Sequence, residues 1–101
     1  MQINHQGNME QLFRAIVSLQ TIDECYAFFE DACTIRELQE IAQRYEVARL
    51  LWNEKSYNEV NKLTGASTAT ICRVKKCLTC GESGYGIVLE RLAQQEESTN
   101  A

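Results

Sequence analysis

Thr68, Ala69 and Thr70 set a methyl between two hydroxyls; a guanidinium follows at Arg73 and ammonium groups at Lys75 and Lys76. Small side chains let a backbone come close to base edges, where hydroxyls and methyls make contacts. A guanidinium there donates to guanine or to phosphate. From Gly65 to Cys80 there are three basic residues and no acidic one, in a chain of net charge −4. Phosphates attract such a surface by a long-range, salt-sensitive force. The chemistry on offer is non-covalent recognition of a polyanion. Catalysis is not expected, because no carboxylate pair marks a defined site, no Ser-His constellation is present, and no phosphate-cradling glycine loop precedes a helix.

Such groups work only on a rigid support, and the flanking residues predict one. Ser56 and Glu59 have the S-x-x-E spacing of a capping box, so a helix starts at Ser56 with Tyr57, Val60 and Leu63 as its apolar side. Gly65 stands where that helix should stop, since glycine takes the left-handed conformation without steric cost. Ser67 is a second N-cap. The next helix runs to about Thr79 and turns Ile71, Val74 and Leu78 inward at i, i+3 and i+7. Its other face carries Ala69, Arg73 and Lys76. Two short helices joined by three or four residues make a helix-turn-helix over about 56–79. In that arrangement Thr68, Ala69, Thr70 and Arg73 lie toward bases, and Ser67 belongs to the same DNA-binding set. Lys75, Lys76, Lys62 and the amide end at Ser56 lie toward phosphates. The same pattern also suits a helical protein-interaction module that keeps the fold without binding DNA.

The remaining chain reads as all-α. With 101 residues, 45% apolar residues and no proline, it supports one domain with a modest core. Helices are expected at about 8–18, at 22–32 with Thr21 as cap, and at 35–53, where Leu38, Ile41, Tyr45, Ala48, Leu51 and Trp52 form a core stripe. A last helix at about 85–95 carries Ile87, Val88, Leu89 and Leu92. Gly81, Gly84 and Gly86 predict a turn before it. The domain thus spans 8–95, between an unstructured start at 1–7 and a polar tail at 96–101. Six helices leave much apolar surface, which dimerisation would cover. Six acids against Arg36 between Asp23 and Glu40 should face away from DNA.

The opening MQINHQGNMEQ is polar, and no apolar run approaches the roughly 20 residues that cross a bilayer, so a cytoplasmic place without membrane partners is expected. Five cysteines without a secretory signal do not suggest a disulfide framework. Cys77 and Cys80 are nominally C-x-x-C, but the only histidine is His5, and no metal site is expected. Redox sensing and idle thiols both remain open.

The run Tyr57-x-Glu59-Val60 … Gly65-Ala66-Ser67-Thr68-Ala69-Thr70-Ile71-x-Arg73-Val74 resembles the reader head of the Trp repressor superfamily, above all its YerC/YecD branch, in which GASTATI-x-RV recurs. The stretch from Arg36 to Ala48 is similar too, and the likeness spans roughly Phe28 to Leu92. It implies a six-helix, intertwined homodimer that binds double-stranded DNA and regulates transcription, with the docking geometry described for Trp repressor itself. The resemblance also implies where tryptophan would sit: against Thr70 and Arg73 on the recognition helix and, after a one-residue shift, Arg44. Tryptophan-responsive members place glycine directly after that helix arginine, leaving room for the indole. This chain has Val74, so no cofactor is expected.

Overall fold

The computed structural model describes residues 7–80 and 83–100. The expectations for residues 1–6, Gly81 and Ala101 lie outside them. Six helices and no strand occur among the described residues: α1 (Asn8–Val17), α2 (Ile22–Ala32), α3 (Ile35–Trp52), α4 (Tyr57–Thr64), α5 (Thr68–Thr79) and α6 (Gly84–Asn100). The first five match the expected spans to within a residue. The sixth differs. Gly84 and Gly86 belong to its first turn rather than to a free turn, because Ser83 Oγ accepts the Gly86 amide at 3.1 Å and starts the helix. Helical backbone then continues to Asn100, where a loose tail from residue 96 was expected.

Internal contacts divide the chain into two compact units, Met1–Leu38 and Gln39–Ala101. The first holds α1, α2 and the start of α3. Thr21 Oγ1 accepts the Glu24 amide at 3.1 Å, and Glu24 Oε1 reaches back to the Gln20 amide at 2.8 Å. Thr34 and Glu37 make a full capping box, with amide-to-side-chain distances of 3.1 and 2.9 Å. Neither α1 nor α2 buries a residue. Val17, Ile22 and Ile35 are each at least three-quarters exposed, and Phe13 and Tyr26 are also exposed.

The second unit holds the core. Val47, Ala48 and Leu50 of α3 pack with Val60 of α4, Ala66 of the turn, Ile71 and Val74 of α5, and Leu89 of α6. Tyr45, Leu51, Leu78 and Tyr85 border this cluster. Within the single chain, the expected α3 stripe is buried only in part. Ala48 is buried, but Ile41 and Trp52 are 47% and 42% exposed, while Val47 and Leu50 do the inner packing. The reason is that α3 is apolar on more than one side, and Val47 and Leu50 complete a second face at i, i+3. Leu63, expected inside, is 67% exposed. Among the described side chains of α6 only Leu89 is buried; Ile87, Val88 and Leu92 are about half exposed.

The joint between α3 and α4 ends in a Schellman pattern. The amides of Glu54 and Lys55 reach the carbonyls of Leu51 and Leu50 at 3.0 Å each. Glu54 occupies the left-handed position, with φ 64°, and is the one described non-glycine residue with positive φ.

Candidate nucleic-acid interface

Ser56 Oγ accepts the Glu59 amide at 3.2 Å and opens α4. The reciprocal half of the expected capping box does not form. The Glu59 carboxylate instead takes the Ser56 hydroxyl at 3.4 Å and stands 4.0 Å from Lys55 Nζ. A cation next to the cap draws it outward. At the other end Gly65 has φ 70° and ψ 7°, and its amide reaches the Asn61 carbonyl at 2.9 Å. The three residues between α4 and α5 are then tied by side chains. Asn61 Nδ2 donates to the Ala66 carbonyl at 2.9 Å, Thr64 Oγ1 accepts the Ala66 amide at 3.1 Å, and Gln43 Nε2 donates to the Thr64 carbonyl at 3.1 Å. Ser67 Oγ accepts the Thr70 amide at 3.2 Å and donates to Thr70 Oγ1 at 3.1 Å. The Ala66 amide and carbonyl are therefore both engaged, and Ala66 is sealed beneath the turn, 1% exposed.

On α5 the division of faces is clean. Ile71 and Val74 are each 1% exposed. Thr68, Ala69, Arg73, Lys75 and Lys76 are exposed, as are Ser67, Ser56 and Lys62; Thr70 is half-buried. Among the described residues no hydrogen bond or ion pair engages the charged ends of Arg73, Lys75, Lys76 or Lys62, and α5 has no acid in its first turn. Thr68 is held from outside α5: its hydroxyl shares a hydrogen bond with the Tyr57 hydroxyl at 2.5 Å. That bond ties the start of the second helix to the start of the first.

A groove of about 360 Å³ runs along one flank of α5. Glu54, Lys55, Ser56 and Tyr57 form one bank and Cys72, Lys75 and Thr79 the other, over a floor that includes Leu51, Ile71 and Leu78. It brings together Ser56 and Lys75, two of the residues expected at phosphates. Arg73, Lys76 and Lys62 do not line it. Lys55 and Tyr57 are additions that the sequence reading missed. Lys55 had a signal in its place beside the N-cap. Tyr57 was read only as an apolar residue, and its hydroxyl is what matters. Of the residues expected around an effector, Arg44 and Thr70 are half-buried and Arg73 is exposed. Four of the cysteines are exposed and Cys33 is half-buried; all are free thiols. Among the described residues no three His, Cys, Asp or Glu side chains group to hold a metal ion. No described helix is long and apolar enough to cross a membrane.

Comparison with known proteins places this geometry. A family model described as Trp repressor protein matches residues 7–93. The uncharacterized protein YerC of Bacillus subtilis (strain 168) is 47% identical over 93 residues, covering 92% of this chain and 89% of that one. A crystal structure of a TrpR-like protein from Eubacterium eligens ATCC 27750 superposes with TM-score 0.79 and 52% identity, over 83% of this chain and 87% of that chain. A candidate Trp repressor from Staphylococcus aureus gives TM-score 0.82 and 40% identity, over 87% and 89%.

Proposed function

Because this chain belongs to the Trp repressor family, we propose that it is a homodimeric, sequence-specific DNA-binding regulator that represses transcription by occupying its operator. Each subunit offers α5 to a major groove. Two heads on a two-fold axis call for a roughly palindromic site with half-sites about one helical turn apart. Ser67, Thr68, Ala69, Thr70 and Arg73 face base edges. Lys75, Lys76, Lys62 and the amide end at Ser56 take phosphates, and Lys55 joins them across the groove from Lys75. Membership of the family supports DNA binding and regulation.

The observation that carries the reading is the free, acid-poor cationic crest of α5 above a sealed apolar floor. A second copy is the occupant we assign to the open apolar faces of α1 and α2, and to Ile87, Val88 and Leu92 of α6. Residues 8–95 then form one folding domain, completed by its partner.

Fluorescence anisotropy against genomic fragments is the direct test. Arg73→Ala with Lys76→Ala should weaken binding. Each lost phosphate contact should reduce the slope of log affinity against log salt by about 0.9. If Arg73 reads a base instead, its share appears as relaxed sequence preference. Affinity and slope unchanged from wild type would remove the proposal.

A further inference from the structure

Tryptophan is the effector the family implies, with Thr70, Arg73 and Arg44 as its contacts. The residues of this chain do not fit it. The position after Arg73, where responsive members carry glycine, holds Val74, which is 1% exposed. Its side chain is part of the cluster of Val47, Val60, Ala66 and Ile71, drawn from α3, α4, the turn and α5. A β-branched side chain in a helix keeps essentially one χ1 rotamer, so it has no second position to which it could swing for a ligand. Interiors are close-packed, and an indole cannot share this space without displacing the core itself.

We propose that Val74 does from within the chain what a bound indole does for a relative with glycine at this position: it fixes α5 against α3 and α4 permanently. The reader head is therefore competent without an effector, and its DNA affinity does not respond to tryptophan or other indoles. The DNA arm of this inference rests on the proposed function; the ligand arm does not. A ligand shifts a conformational equilibrium only through differential affinity for two states, and a head locked by its own core offers one state.

The test starts with calorimetric titration of the full wild-type chain with L-tryptophan and, separately, indole. No saturable heat is expected up to about millimolar ligand. Saturable binding of either, with a thermal shift to match, overturns the proposal whatever the protein does with DNA. In DNA titrations with and without L-tryptophan, the two affinities should agree within about twofold; a tenfold change overturns it. Val74→Gly should lower DNA affinity at least about tenfold, with helicity retained by circular dichroism. A folded Val74→Gly chain with wild-type affinity refutes the positioning role. If that variant does not fold, Val74→Ala serves in its place, with a smaller loss expected and wild-type affinity again refuting.

Discussion

Gly65 and Glu54 bracket α4 in the same left-handed backbone conformation, at φ 70° and 64°, one with the residue suited to it and one without. Exchanging the chemistry at each site should give opposite effects of similar size. For an L-residue the left-handed conformation costs about 1–2 kcal/mol. Glycine escapes that cost but loses about 0.4–1 kcal/mol through the greater freedom of its unfolded chain. The difference is a net effect of about 0.5–1 kcal/mol. At Gly65 no atom lies within 4 Å of where a Cβ would stand, so Gly65→Ala adds no clash and should destabilise by that net amount alone. Glu54→Gly should stabilise by about the same, since no hydrogen bond or ion pair of its carboxylate is present among the described residues. The two sites share no hydrogen-bond partner, so the double variant should return to wild type within about 0.5 kcal/mol. Urea unfolding at one fixed protein concentration is the assay, with midpoint shifts of about 0.5 M and an unchanged slope. A Gly65→Ala loss above about 2 kcal/mol, or a Glu54→Gly variant less stable than wild type, would refute the backbone argument.

Two further outcomes follow from the first unit. The Glu37 carboxyl is held below its ordinary value of 4.5, chiefly by the Thr34 amide and then by the Thr34 hydroxyl. A depressed carboxyl stabilises the folded state above its unfolded pKa and loses that contribution as pH falls through the folded value. Glu37→Gln should therefore be less stable than wild type near neutrality and converge with it in acid unfolding below about pH 4; parallel curves across the whole range would contradict this. The uncovered apolar faces of α1 and α2 predict a concentration-dependent thermal midpoint and a sedimenting mass near twice 11.5 kDa. A monodisperse monomer with a concentration-independent midpoint would remove the homodimer.

What the sequence made legible was local. Ser56, Gly65 and Ser67 announce their roles because a cap and a left-handed turn are decided within four residues. Ile71 and Val74 follow from one period in one short helix. The box at Thr34 and Glu37 is equally local, its T-x-x-E spacing equivalent to the S-x-x-E at Ser56. Other features lay beyond it. No glycine marks the left-handed residue at Glu54. The separation of Val47 and Leu50 from Ile41 and Trp52 depends on which of the apolar sides of α3 meets α4 and α5. Leu63 is apolar at a sensible spacing yet points to solvent, because an eight-residue helix seals its core side with Val60 alone. The Tyr57–Thr68 bond and the Lys55 bank of the groove exist only once two helix starts approach each other.

The split between the floor and the crest of α5 has an evolutionary corollary. Ile71 and Val74 are tethered to the interior, while Ala69, Arg73 and Lys76 have no duty in it. Mutations on the crest are thus free to drift with little penalty to folding. A duplicated copy of such a chain could be readdressed to new promoters by a few changes in that row, its scaffold left as it was.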